Sequence, residues 1–195
     1  MNFIHKKNKL FLKILFISIL LSSCNNGSRP FVKHGEIIDS LNHVKVYYND
    51  GFSNVSSGRN LGKNNYNIGL KYQCVEFVKR YYYEYYKHEM PNSYGNAKDF
   101  FNQKLEDGGV NSDRDLTQFE NGSKSKPKVG DLVVFDGDLF NPYGHVAIIS
   151  LVKKEEIEVI QQNTGTNSRA TYPLLVENKK WVIDYKSILG WLRKI

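Results

Sequence analysis

The residues that decide the fold are Tyr72-Gln73-Cys74-Val75-Glu76-Phe77-Val78 (72–78), because a loop becomes a helix here and a cysteine stands at the junction. From Gln73 to about His88 the apolar and aromatic side chains recur at spacings of three and four, and Pro91 stops the helix. One face is predicted to carry Val75, Val78, Tyr82 and Tyr85, flanked by Phe77 and Tyr81. The sequence therefore predicts an amphipathic helix that begins at Cys74.

Cys74 is the candidate nucleophile of this chain. A helix N-terminus or a nearby imidazolium stabilises a thiolate, although an unpaired cysteine is often only a small buried hydrophobe. A histidine partner elsewhere in the sequence would favour the catalytic interpretation of Cys74 over the structural one. Gly144-His145-Val146-Ala147 follows 71 residues later on a predicted strand. A cysteine at a helix start with a histidine on a later strand is the layout of a cysteine amidase or peptidase.

The strand that follows His145 supplies candidate partners for its imidazole. Alternation along residues 157–163 places Val159, Gln161 and Asn163 on one side. If strands 132–135, 145–151 and 157–161 form a meander, Gln161 and Asn163 lie near His145. A side-chain carbonyl there could hold the imidazole by its Nδ1–H and leave Nε2 toward the thiol.

The order of the predicted elements gives the fold class. Residues 31–69 are loop-rich, and Asn96 can cap a second helix that contains Ala97, Phe100, Phe101 and Leu105 and ends at Gly108-Gly109. A polar connector over 111–128 leads into six strands, at 132–135, 145–151, 157–161, 172–176, 181–184 and 189–192. Helices followed by antiparallel strands predict an α+β fold, with N-terminal helices packed on a sheet of about five or six strands.

The first residues have the character of an export signal. Four lysines precede or enter an apolar run from Leu10 to Leu21, and Leu21-Ser22-Ser23-Cys24 closes it. An ordinary secretion signal is one reading. The run also resembles a bacterial lipobox, which predicts a lipoprotein signal peptide over 1–23, lipidation of Cys24, a short tether over 24–30 and a single domain over 31–195. This reading places the protein in the bacterial cell envelope, exported and lipid-anchored to a membrane, on the periplasmic face or the cell surface.

Charge and composition narrow the possible partners. Removing residues 1–23 takes away four lysines and no acid, so the formal net charge falls from +7 to +3. No basic face with interleaved aromatics emerges, which argues against nucleic acid. Residues 60–72 contain no acid that could bind calcium, and no zinc-ligand spacing occurs, so neither a metal nor a cofactor is expected. We expect a monomer.

Six ordered motifs between about residues 60 and 194 resemble the CHAP family, the cysteine, histidine-dependent amidohydrolases/peptidases. These motifs are Gln73-Cys74-Val75-Glu76-Phe77, Gly95-Asn96-Ala97-Lys98-Asp99-Phe100, the Pro127–Phe135 segment, Gly144-His145-Val146-Ala147-Ile148-Ile149, the Gln161–Asn163 strand end and Ile188-Leu189-Gly190-Trp191-Leu192-Arg193. The resemblance implies a papain-like α+β fold.

The same resemblance assigns roles to single residues. Cys74 matches the nucleophile and His145 the general base and later acid. The family often ends its third strand in Glu-x-Asn, so Asn163 is kept here while Gln161 replaces the carboxylate. The backbone N–H of Cys74 is the first candidate for the oxyanion hole. Gln73 or Asn163 could supply a second donor, although Gln73 could also merely flank the helix.

The predicted function is that of a lipid-anchored cysteine amidohydrolase or peptidase, with Cys74 forming an acyl-enzyme and His145 acting as base and acid. Export makes peptidoglycan the expected substrate, cut at the sugar–peptide amide or at a peptide bond. Residues 69–77 also resemble the amidase domain of glutathionylspermidine synthetase/amidase, which makes a small peptidyl-amide the first alternative. A non-catalytic lipoprotein that binds wall peptides or another protein is the second.

Overall fold

The computed structural model describes residues 31–50 and 57–195. Within them, Val32–Ile195 form one unit. The predicted signal peptide and tether, with Cys24, lie outside the described residues, so the division at residues 23 and 30 stays a prediction. No helix in the described ranges has the length and apolar character needed to cross a bilayer.

Two hairpins precede the main sheet. The first joins β1 (Ile37–Leu41) to β2 (Val44–Tyr47), and the second joins β3 (Arg59–Leu61) to β4 (Asn67–Leu70). Short 3-10 turns occur at Lys63–Asn65 and Lys98–Phe100. The loop-rich region predicted for residues 31–69 is therefore partly extended, because its turn residues close two antiparallel pairs.

The main sheet has eight strands, all paired antiparallel. In chain order they are β5 (Val110–Asn111), β6 (Leu116–Glu120), β7 (Leu132–Phe135), β8 (His145–Val152), β9 (Glu156–Ile160), β10 (Arg169–Glu177), β11 (Lys180–Ile183) and β12 (Ile188–Arg193). Their spatial order is β11-β10-β9-β8-β7-β12-β6-β5, so the expected meander β7-β8-β9 is present. The sheet is larger than the five or six strands predicted, because β5 and β6 form within the segment expected to be a polar connector.

One α-helix, α1 (Cys74–Tyr86), lies in the described part of the chain. Lys87 ends it in the left-handed conformation and donates its N–H to the carbonyl of Tyr82. The buried face consists of Phe77, Val78, Tyr81 and Tyr82, whereas Tyr85 is 47% exposed. The helix is thus rotated toward Phe77 and Tyr81 relative to the predicted face, because tertiary contacts select which part of a broad apolar stripe is buried.

The helix predicted over residues 96–107 is wrong. The chain turns extended at Phe101 after a single 3-10 turn. The side chain of Gln118 on β6 accepts from the N–H of Asn102 and donates to the Asn102 carbonyl, both at 2.9 Å. Side-chain hydrogen bonds to a neighbouring strand thus replace the helical pattern that the apolar spacing suggested.

The core lies on both faces of the sheet. Along β7, Leu132 and Val134 pack with α1, while Val133 and Phe135 pack on the opposite face with Ala147 and Trp191. This alternation follows the period of two along a strand. Because each face is covered, β7 is apolar throughout, and its predicted bounds agree with those observed.

Gly144 shows how tightly the loop before β8 is packed. Its φ is +73°, and a Cβ there would lie 2.5 Å from the Phe135 carbonyl oxygen and 2.9 Å from Lys98 Cβ. Gly108 has a similar φ of +82° but open space around it. Replacing each glycine with alanine therefore distinguishes two effects: both variants strain the backbone, but only the one at Gly144 also creates a steric clash.

We expect Gly144→Ala to destabilise the protein more than Gly108→Ala. A left-handed alanine costs about 1 kcal/mol at either position, and overpacking at Gly144 adds about 2 kcal/mol. Chemical denaturation of both variants measures the difference. Equal losses of stability would show that the loop before β8 accommodates the added methyl group without a steric cost.

Candidate active site

The site begins where β4 delivers the chain to α1. Gln73 is the extended N-cap residue, and Cys74 is the first residue of the helix. Gly69 on β4 has φ +144°, and a Cβ there would approach Glu76 Cα to 2.9 Å. Only glycine allows the strand to run this close to the helix, so the approach fixes where the helix start stands.

The Cys74 thiol is largely enclosed, with 9% of the residue exposed. Burial raises its pKa, and hydrogen bonds with the backbone of Val146, Val75 and Cys74 itself oppose this rise in part. The helix start and strand β8 thus surround the sulfur. Because burial outweighs these hydrogen bonds, the thiol is neutral at neutral pH.

His145 opens β8, and its imidazole is held by Gln161. The Nε2 atom lies 3.0 Å from Gln161 Oε1, and the Gln161 amide nitrogen donates to the carbonyl of Asn167 at 3.5 Å. The expectation that Nδ1 would meet this partner is wrong. Gln161 lies diagonally across from His145 in the β8–β9 register, which brings the far ring nitrogen to it. Nδ1 is therefore the ring nitrogen that Gln161 does not engage.

The hydrogen bond from His145 to Gln161 defines a neutral base. Burial lowers the pKa of His145 to about 4, and the Gln161 contact raises it only in part. With Nε2–H donated to Oε1, the unprotonated Nδ1 can accept a proton. A neutral imidazole at pH 7 is the form that a general base requires.

Asn163 lines the same cavity as His145, but its side chain contacts Gln73. Its φ is +67°, so the alternation of β9 ends before this residue is reached. Its amide nitrogen donates to Gln73 Oε1 at 2.7 Å, and its oxygen accepts from Asn49 Nδ2 at 2.9 Å. Asn163 therefore orients Gln73, whereas the imidazole of His145 is hydrogen-bonded to Gln161. With Gln73 Oε1 occupied, the two N–H groups of that amide remain as donors.

Gln162, between the two predicted residues, was missed. Its side chain is buried, and its amide nitrogen donates to Gln73 O at 3.0 Å and to Glu76 Oε2 at 2.8 Å. Its oxygen accepts from the N–H of Tyr47 at 2.8 Å. Two adjacent glutamines closing an apolar strand were the signal that could have found it, because buried polar groups require partners.

Glu76, two residues after Cys74, makes structural contacts at the base of the helix. It pairs with Arg80 at 2.7 Å and accepts from Asn60 Nδ2 at 2.7 Å. The carboxylate therefore belongs to the base of the helix and does not substitute for the missing acid beside His145.

A cavity of about 580 Å³ joins these elements. Its lining includes Cys74, His145, Gln73 and Asn163, while Gln161 supports His145 from behind. The structure thus gathers all five predicted side chains around one concave site. Such a site, with a thiol and an unprotonated imidazole at its surface, can support nucleophilic chemistry.

Comparison with known proteins extends this picture. A family model described as the CHAP domain matches residues 64–163, just over half of the chain. The bifunctional glutathionylspermidine synthetase/amidase of Escherichia coli is 30% identical over 138 residues, which cover 64% of this chain and 22% of that protein. The trypanothione synthetase of Crithidia fasciculata is 25% identical over 162 residues, 77% of this chain and 25% of that protein.

A third relative is a viral protein. Endolysin PlyTW of Staphylococcus phage Twort is 31% identical over 100 residues, 49% of this chain and 20% of the endolysin. The chain therefore spans a fifth to a quarter of the length of these relatives. The segment matched by the CHAP domain model, residues 64–163, contains the helix start, the histidine strand and the Gln161–Asn163 turn. Because this model matches just over half of the chain, the chain belongs to the CHAP domain family.

Proposed function

We propose that the protein is a hydrolase that cleaves amide bonds through an acyl-enzyme on Cys74. The observation that carries the proposal is the cavity shared by Cys74 and His145, with the histidine fixed by Gln161 so that Nδ1 is unprotonated. Membership of the CHAP family and the relatives named as an amidase and an endolysin support hydrolysis.

The first half of the proposed reaction acylates the thiol. His145 Nδ1 takes the thiol proton as Sγ attacks the amide carbonyl, so that the C–S bond forms and negative charge develops on oxygen. The backbone N–H of Cys74 and the Gln73 amide donate to that oxygen. The imidazolium then protonates the leaving nitrogen, the C–N bond breaks, and the amine departs.

The second half releases the acid. His145, neutral again, removes a proton from water, which attacks the thioester. The C–S bond breaks, and the thiolate regains its proton from the imidazolium. Because burial favours the neutral forms of both Cys74 and His145, proton transfer accompanies attack and no resting ion pair is required.

Peptidoglycan is the substrate class that we favour, cut at its sugar–peptide amide or a peptide bond. The support is the export signal predicted over residues 1–23 and the similarity to an endolysin. We further propose that lipidation of Cys24 anchors the protein to a membrane of the cell envelope. Membrane fractionation of cells that express Cys24→Ser tests the anchor, since the protein should leave the membrane fraction.

A small peptidyl-amide, such as a glutathionylspermidine-like conjugate, is a second candidate substrate. It rests on the 30% identity to glutathionylspermidine synthetase/amidase, which extends over 138 residues. A conjugate of this kind is a compact amide that a cavity of about 580 Å³ can hold. Assaying both substrate classes with one preparation distinguishes them.

We expect Cys74→Ala and His145→Ala each to reduce hydrolysis by about a thousandfold or more, because either change removes the nucleophile–base pair. His43→Asn, at an exposed histidine, should retain full activity. Mass spectrometry of fragments released from purified peptidoglycan gives the rate and names the bond.

Fragments released equally by Cys74→Ala would overturn the proposed nucleophile. A folded wild-type protein that binds peptidoglycan but releases nothing from either substrate class would favour the non-catalytic binding protein.

Gln161→Glu should raise the pKa of His145 by about one unit or more, since a carboxylate stabilises the imidazolium. In the wild type the base is lost only as the pH falls through about 4. In the variant it should be lost at a higher pH. NMR titration of the His145 ring measures both values without substrate. Glu158→Gln, whose carboxylate faces Ser150 and Arg169, should leave the titration unchanged.

Gln73→Glu tests the oxyanion donor. The variant keeps an oxygen that can accept from Asn163 but loses both amide N–H groups, so kcat should fall about a hundredfold. If Gln73 only flanks the helix, kcat stays near that of the wild type. Thermal unfolding of the same variant shows whether any loss reflects the fold.

A further inference from the structure

One wall of the active-site cavity carries a cation with neutral partners. Arg59 on β3 donates from Nη1 to Asn67 Oδ1 at 2.7 Å, and its guanidinium lies 5.8 Å from the ring centre of Tyr94. All three residues line the cavity. Within residues 31–50 and 57–195, no carboxylate forms an ion pair with Arg59, so the wall holds the guanidinium in place without neutralising it.

A second cation stands behind the same wall. Lys79 on α1 is only 1% exposed, and its ammonium donates to the backbone carbonyls of Asn67 and of Ser93, both of which line the cavity. Burial, reinforced by the charges of Arg114 and Arg59, lowers the pKa of Lys79 to about 7. The described residues give Lys79 no carboxylate partner either.

Arg114 adds a third positive charge to this side of the site. It is 1% exposed, its guanidinium lies 3.8 Å from the ring centre of Phe100, and it donates to the carbonyls of Tyr94 and Asp99. The carboxylates of Asp113 and Asp99 attract the Arg114 guanidinium electrostatically, but in the described part of the chain neither forms an ion pair with it. Arg59 and Arg114 thus place permanent positive charge along one side of the cavity, and Lys79 adds to it as the pH falls below about 7.

Behind the same wall, Asp99 accepts from the N–H of Asn96 at 2.8 Å and partly offsets the charge of Arg114, but the described lining residues themselves add no negative charge. Among the described residues that line the cavity, none is aspartate or glutamate, and Arg59 is the one with a permanent charge. A cleft walled by one sign of charge concentrates ligands of the opposite sign. The Arg59 guanidinium donates one N–H to Asn67 and has further N–H donors, whose planar arrangement matches a carboxylate.

We propose that the wall formed by Arg59, Asn67 and Tyr94 binds a carboxylate of the substrate. The preferred substrates are then peptides that carry a free carboxylate close to the amide that is cleaved. This inference deepens the proposed function and rests on it for the cleavage step. The preference of the cavity for an anion does not rest on the proposed function, because it depends only on the charges around Cys74.

The first experiment compares a carboxylate with a neutral analogue at Cys74 without any hydrolysis. Full-length protein is alkylated at one alkaline pH with iodoacetate or iodoacetamide, and mass spectrometry of the Cys74 peptide gives the two rates. We expect Arg59→Gln to lower the iodoacetate-to-iodoacetamide rate ratio about threefold or more. Arg59→Lys should retain the ratio, as should Lys180→Gln on the exposed far end of the sheet.

Wild-type protein provides an independent measurement if a variant folds poorly. Added salt screens the charges, so it should slow iodoacetate much more than iodoacetamide. An unchanged ratio in Arg59→Gln, or the same salt response for both reagents, would overturn the proposal.

The second experiment uses soluble peptidoglycan fragments with free carboxylates and the same fragments after amidation. Wild type should cleave the free form with a kcat/KM about tenfold higher, and Arg59→Gln should lose most of this preference. Equal cleavage of both forms would refute the carboxylate site while leaving the hydrolase intact. Cleavage of neither, with the alkylation preference still present, would refute peptidoglycan hydrolysis and leave the carboxylate site standing.

Discussion

The side-chain amide of Gln162 connects three segments that are far apart in the sequence. It donates to the carbonyl of Gln73 and the carboxylate of Glu76, and it accepts from the backbone of Tyr47. The helix start that presents Cys74 is thereby joined to the strand end that presents Gln161. Because Gln161 and Gln162 are adjacent and project to opposite sides, one short turn positions the proposed nucleophile, Cys74, through the helix and the proposed base, His145, through its imidazole. The relative positions of Cys74 and His145 depend on this connection.

Burying that connection requires every polar group to find a partner. Glu76 and Arg80 form a buried ion pair, which Gln162 and Asn60 complete with hydrogen bonds and Tyr47 covers with its ring. Removing one partner of such a pair costs about 3–5 kcal/mol, because the other charge stays buried. The network therefore tolerates few rearrangements. Its value to the protein lies in specifying one position for the helix start, since a buried ion pair is weak as a source of net stability.

Enclosure also sets the chemical state of the proposed catalytic pair. The same packing that positions Cys74 and His145 withdraws both from water, which favours the thiol over the thiolate and imidazole over imidazolium. A carboxylate beside His145 would favour the charged pair, but Gln161 provides a neutral oxygen. In the proposed mechanism the thiol is therefore protonated at rest, and positioned donors, above all the Cys74 backbone and Gln73, stabilise charge when it develops. The cations of the neighbouring wall add positive potential to this largely neutral centre.

Local patterns determined much of this protein. The spacing of apolar side chains gave α1, alternation gave β7, β8 and β9, and the order of cysteine, histidine and the Gln161–Asn163 end identified the site. The predicted second helix failed because Gln118, a distant residue, captures the backbone of Asn102. The contact of Asn163 with Gln73 was not predicted, because the left-handed backbone at Asn163 interrupts an alternation that a sequence pattern can only extend. The choice of Nε2 for Gln161, and the gathering of Arg59 and Lys79 at one wall, depend on register and on packing between distant segments. The periodicity of a sequence indicates which face of a helix or strand a residue occupies. Only the tertiary structure determines which distant residues pack against that face.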